Sequence, residues 1–312
     1  MQRIVKPKTQ RGKRELVKRE SKIVENTKKC LFIRGGNTSE KVSQVLKEFY
    51  ILKKENSMML KRKNMLRPFE DRSQLENFGR KYDSSLFLFG SHSKKRPHNL
   101  VFGRMFDFQV LDMVELGVDK YTSMFEIKSA KCTSGIKPCL MFNGDLFDTD
   151  HDYKRLKNLL IDFFRGPVVD KIRLSGLEHV ISVTALNGKI LFRSYRALLK
   201  KSGSKTPRVE LEEIGPSLDL SVRRSHLASL DLFKQAMRKP KELMPKKKKN
   251  ISHDVFGTKL GRVHMESQDL SKLQTRKIKA LKRTKSTETG ETSTASKKAK
   301  KDTGKDKSEA EK

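Results

Sequence analysis

Apolar residues recur along the middle of this chain in two rhythms, and the changes of rhythm mark its elements. Residues 29–33, apolar from Cys30 onward, and the apolar run 86–89 are closed by Arg34-Gly35-Gly36 and by Gly90. Runs of that length bounded by glycine predict buried strands. After the first, Val42, Val45, Leu46, Phe49 and Leu52 fall on one face at helical spacing, which predicts an amphipathic helix. Asn37 and Glu40 have the spacing of a capping box, with Asn in the usual Ser/Thr place. Residues 100–108, 110–116 and 138–142 predict further strands. Tyr153, Leu156, Leu160, Phe163 and Phe164 then form a second helical stripe, with Asp150 as its cap and Gly166-Pro167 as its stop. Asn187-Gly188 between 179–186 and 189–198 predicts a tight hairpin. A strand pair is expected at 208–214 and 217–223 around Gly215-Pro216, and a closing helix at 226–238 before Pro240.

Strand–helix–strand units stand at the start of this region and again near residue 140, each followed by hairpin signals. That order argues for an α/β fold with a mixed sheet, in two lobes that repeat strand, glycine turn and helix. The domain is expected to span 28–240. Segments 1–27 and 241–312 are basic extensions. The latter turns to Ser, Thr, Lys and Glu from about Thr284 and is expected to be largely disordered.

Charge narrows the partners. The 312 residues hold 70 Lys/Arg against 37 Asp/Glu, a net charge of +33, and only 35% are hydrophobic. Such an excess repels itself unless a polyanion answers it. No apolar run is long enough for a spanning helix. The first residues are charged and lack the apolar core of a signal peptide, so the chain is expected in a reducing compartment. Cys30, Cys132 and Cys139 are scattered and form no C-x-x-C, so neither a zinc ribbon nor a redox pair is expected. Lys246, Lys247, Lys248 and Lys249 read as a nuclear import signal or a nucleic-acid contact.

Two clusters could carry chemistry. Asp145, Asp148, Asp150, His151 and Asp152 follow a strand and could hold a divalent metal for phosphodiester cleavage. The alternative is a helix start, where acids cap and complement the dipole. The spacing matches no EF-hand, and no P-loop or nucleophile elbow is present. The other cluster is the loop Ser91-His92-Ser93-Lys94-Lys95-Arg96-Pro97-His98. It sits on a rigid apolar stem, and its natural target is phosphate. Arg104 follows on the next apolar segment. Arg193 and Arg196 with Lys200, Lys201 and Lys205 make a second basic set, and Arg223 and Arg224 a third. Lys94, Lys95, Arg96 and Arg104 are the expected phosphate contacts, with Arg193, Arg196, Arg223 and Arg224 beside them. Ser91 and His92 either orient the loop or donate to phosphate.

The run from Phe89 through Ser91, Lys94, Pro97 and Asn99 to Gly103-Arg104 resembles the core of the Brix domain family. Gly215-Pro216-Ser217-Leu218-Asp219-Leu220-Ser221-Val222-Arg223-Arg224 resembles the signature near that domain's end. The resemblance implies two α/β halves related by pseudo-twofold symmetry, similar to the anticodon-binding domain of class IIa tRNA synthetases. It implies a nucleolar ribosome-assembly factor with no catalytic residue and no cofactor. The first match is specific to the branch of the family that pairs with the regulator of ribosome synthesis. That branch brings 5S ribosomal RNA with ribosomal proteins uL18 and uL5 into the large-subunit (60S) precursor and is linked to precursor-RNA processing. The rival expectation is a metal-dependent RNA-processing enzyme built on Asp145, Asp148 and Asp150.

Overall fold

The computed structural model describes residues 6–133, 135–169, 171–173, 176–244, 249–263 and 265–273. Residues up to Pro245 form one unit and those from Lys246 another. Lys246, Lys247 and Lys248 lie outside the described residues, as does the tail from about Thr284, and Lys249 is exposed. The described part of the second unit carries a small hairpin, Ile251–His253 with Lys259–Gly261.

The first unit is built on one mixed sheet. Its strands are β1 (Cys30–Gly35), β2 (Ser57–Asn64), β3 (Leu86–Ser91), β4 (Asn99–Phe106), β5 (Gln109–Thr122), β6 (Cys139–Asn143), β7 (His179–Leu186), β8 (Lys189–Lys200), β9 (Arg208–Glu213) and β10 (Ser217–His226). They lie in the order β2-β1-β3-β4-β5-β10-β8-β7-β6, with β9 also on β8. Counted inward from β1, the pairings run parallel, antiparallel, antiparallel; counted inward from β6, they run the same way. The two series meet where β5 pairs antiparallel with β10.

One face of this sheet is covered by α2 (Glu40–Leu52) and α5 (His151–Phe164). Their apolar stripes meet in a single core with Phe32, Phe102, Val114, Leu116, Ile181, Phe192 and Leu218. Phe49 of α2 lies 5.9 Å from Phe102, 5.8 Å from Phe164 and 5.2 Å from Phe192, ring centre to ring centre. One side chain thus joins both helices to both halves of the sheet. Full burial of such a ring stabilises by about 2–3 kcal/mol. On the other face, α3 (Ser73–Tyr82) packs Leu75 against Leu31, Ile33, Phe87, Phe89, Val101 and Met113. Among the described residues the remaining α-helices are α1 (Gln10–Arg19) near the start, the short α4 (Leu146–Thr149) before α5, and α6 (Leu230–Ala236) after β10.

Four expectations change. The cap of α2 is Ser39, whose Oγ accepts from Val42 N–H, and not Asn37. β9 and β10 do not pair with each other but follow one another along β8. β10 runs to His226, so the closing helix is confined to Leu230–Ala236. Finally, β2 and α3 fill a stretch that the periodicity left blank.

Candidate nucleic-acid interface

β3 and β4 are adjacent antiparallel strands, so the basic loop between them is a short connection at one end of the sheet. It is tied down from inside. His92 N–H donates to the Asn37 carbonyl at 2.8 Å, His98 N–H donates to His92 Nδ1 at 3.1 Å, and His98 Nδ1 lies 2.8 Å from Ser39 Oγ. Arg96 N–H closes a turn onto Ser93 Oγ at 3.1 Å. Burial, with the nearby positive character of His92, Lys41 and Arg223, holds the His98 imidazole below its ordinary pKa. Both histidines therefore spend polar atoms on the loop's shape. Ser91 ends β3 opposite Asn99.

The carboxyl-terminal signature reaches the same corner. A register shift in β10 between Val222 and Arg224 turns Arg223 toward the loop. Its guanidinium donates to the Pro97 carbonyl at 2.8 Å and to Asn99 Oδ1 at 3.2 Å. It lies over Gly117, where an added Cβ would stand 2.4 Å from Arg223 Nε. Arg224 pairs with the fully buried Glu115 and stacks 4.1 Å above the Phe69 ring. Arg96 Nε approaches the other Glu115 oxygen at 3.6 Å. Lys94 and Lys95 are exposed, and among the described residues neither has an acidic partner within ion-pair reach. The corner thus presents two exposed lysines on a loop braced by Arg223 and tied to Glu115 through Arg96. Cations in that state can bind phosphate without first breaking an internal pair.

Arg104 is elsewhere, and this corrects its expected phosphate contact. It faces the helical core, 5% exposed, with Asp112 at 2.5 Å, Asp162 at 2.7 Å and Asn158 at 2.6 Å. Its place on an apolar strand meant burial, and a buried guanidinium must be paired. Arg193 donates to Asp219 at 2.6 Å and to the Leu218 carbonyl at 2.8 Å. Arg196 sits half-buried opposite His179 and Glu212. Both lie on β8, which is separated from β4 by β5 and β10, so the structure does not bring them to the loop. Lys200 is held by Glu210, while Lys201 and Lys205 are exposed.

The acidic cluster resolves into helix starts. Asp150 Oδ1 accepts from Asp152 N–H at 3.1 Å as the cap of α5, Asp152 Oδ2 accepts from Ser225, and Asp148 pairs with Lys157 at 3.0 Å. Among the described residues, no group of three or more His, Cys, Asp or Glu is placed to hold a metal ion. No described helix is long and apolar enough to cross a membrane.

Arg34, Lys61, Arg62 and Lys63 on β1 and β2, and Lys41 near His98, are basic groups beside this corner that the sequence pattern does not single out. β1, β2 and β3 are mutually parallel, and Lys63 stands opposite Arg34, which stands opposite Gly90 just before the loop. The dense Lys61-Arg62-Lys63 run is the available signal, but the weak apolar alternation around it predicts no strand to carry it.

The Brix domain family model matches residues 35–224, a span that contains both halves of the corner. The chain is similar to a "Ribosome production factor 2 homolog" of Bos taurus, 62% identical over 262 residues, 84% of this chain and 86% of that one. It is 61% identical to the protein of that name in Homo sapiens over 261 residues, 84% and 85% of the two chains. It is 45% identical over 294 residues to the "Ribosome biogenesis protein RPF2" of Saccharomyces cerevisiae, 90% and 86% of the two chains.

Proposed function

The chain belongs to the Brix domain family, and from that membership we propose that it is a ribosome biogenesis factor acting by binding and not by catalysis. Its ligand is the sugar-phosphate backbone of 5S ribosomal RNA and of the large-subunit precursor RNA. With the regulator of ribosome synthesis it recruits the 5S particle, including uL18 and uL5, to the 60S precursor in the nucleolus, and so supports precursor processing. Lys94 and Lys95 make the leading phosphate contacts, with Arg96 beside them.

One observation carries this reading. Two segments more than a hundred residues apart in sequence converge so that Arg223 braces the loop that exposes Lys94 and Lys95. Cations held this way at an open sheet end give salt-dependent affinity with little base readout. The names of the relatives agree with the coarser part of the reading. The test is 5S RNA binding by the Lys94→Glu/Lys95→Glu chain. The expected result is weaker binding and a flatter salt dependence with unchanged folding; unchanged affinity at physiological salt would defeat the loop's role.

A further inference from the structure

Three parallel strands end side by side at this corner, and only the last of them leads into the loop. The other two carry their own cations. Lys61, Arg62 and Lys63 on the edge strand β2 are all exposed. Arg34 on β1 is half-buried, and its Nε is shut off from solvent with no hydrogen-bond partner among the described residues. None of these four groups has an acidic partner in ion-pair reach among the described residues, whereas most other strand-borne arginines do. The register aligns them: Lys63 is opposite Arg34, and Arg34 is opposite Gly90, one residue before Ser91.

We infer that the carboxyl ends of β2, β1 and β3 form one continuous phosphate track, running from Lys61, Arg62 and Lys63 past Arg34 to Lys94 and Lys95. A single RNA strand crosses it transverse to the sheet. The inference rests on the RNA-binding reading above and extends it from a loop to a path with a direction. Strands pack about 4.8 Å apart, so three of them span about 10 Å. That is the axial span of about three nucleotides at roughly 3.4 Å each along one strand. A row of single cations at strand spacing suits a flexible phosphate chain laid across strand ends. The carboxyl ends of parallel strands are also where open α/β sheets receive ligands. Arg34 is the middle of the track: its half-buried side chain has no acidic partner within ion-pair reach among the described residues, and its positive charge lies between those of Lys63 and the loop.

The experiment is filter binding of the full chain to a 5S RNA transcript over a salt series. Three variants are compared with the unsubstituted chain: Lys61→Gln/Arg62→Gln/Lys63→Gln, Lys94→Gln/Lys95→Gln, and the charge-preserving Lys61→Arg/Lys63→Arg. The track predicts that the triple glutamine variant binds about tenfold or more weaker near physiological salt. It also predicts that its log–log salt slope falls by about two, and that the arginine variant binds normally. Removal of binding by the loop variant alone, with the β2 variant unchanged, overturns the track and leaves the RNA reading standing. Absence of RNA binding by the unsubstituted chain overturns both, as would retention on anionic phospholipid vesicles in place of RNA. Circular dichroism melts of all chains separate loss of contact from loss of fold, and equal weakening in the arginine variant would mark a structural role and reject the track.

Discussion

Arg223 donates to the Pro97 carbonyl at 2.8 Å and so binds the end of the domain to its first basic loop. The contact exists because position 117 is glycine, over which the guanidinium lies. Gly117→Ala puts a methyl where Arg223 Nε stands, but the clash falls on the far end of a flexible side chain, which swings away. The variant is expected to fold, to lose about 1 kcal/mol of stability from the missing hydrogen bonds, and to bind RNA more weakly because the loop is no longer braced. Urea unfolding together with RNA titration checks this. Native loop protection in hydrogen exchange would show that the brace is dispensable.

Glu115 gives an asymmetric prediction. It is fully buried and lies between Arg96 and Arg224, which both reach solvent. Glu115→Gln releases two arginines that water can still hydrate, and is expected to cost about 1 kcal/mol or less. Arg224→Met leaves a buried carboxylate with only the Arg96 approach at 3.6 Å and is expected to cost about 3 kcal/mol. Denaturant midpoints of the two variants measure the difference. Equal costs would mean that Arg96 alone can neutralise the carboxylate.

Much of this architecture was legible from pattern. The stripe Val42, Val45, Leu46, Phe49 was placed on its correct face because one helix side is buried throughout. The Asn187-Gly188 hairpin stood out because both residues take positive φ, 49° and 73°, which that dipeptide tolerates best. β2 was not legible: its burial alternates weakly and its second half is Lys61-Arg62-Lys63, since it is an edge strand held by backbone pairing to β1. α3 carries only Leu75 and Gly79 fully inside and has no side-chain cap. At the site, the loop was visible as composition. Which of its cations remain available was not, because Glu115, which takes Arg96, is supplied from β5.

Arg104 separates stability from binding. Its guanidinium satisfies Asp112 and Asp162 and also lies 5.3 Å from the Phe233 ring of α6. Arg104→Ala leaves the buried Asp112 with only Arg155 at 3.9 Å and the Ala228 N–H, and Asp162 with Lys28 at 2.9 Å, and is expected to lose about 3 kcal/mol. The RNA affinity of the fraction that remains folded is expected to stay unchanged, as Arg104 makes no surface. Affinity measured below the unfolding transition tests this. Selective loss of RNA binding in a fully folded variant would return Arg104 to the interface.

The buried His179 sets an acid limit on the sheet. Its Nε2 lies 2.9 Å from Ser194 Oγ between β7 and β8, and burial pushes its pKa down to about 4 from an ordinary 6.5. The unfolded chain therefore binds a proton between those values that the folded chain refuses, so stability is present above about pH 6.5 and falls as pH drops toward 4. The difference between those two values corresponds to about 3 kcal/mol once pH is below both. His179→Gln keeps a polar group for Ser194 and cannot take up the proton. It is expected to cost about 1 kcal/mol at pH 7.5 but to be relatively more stable than the unsubstituted chain near pH 4. Urea midpoints from pH 7.5 to 4 check the crossing, and parallel curves for the two chains would show that His179 is not the group that titrates.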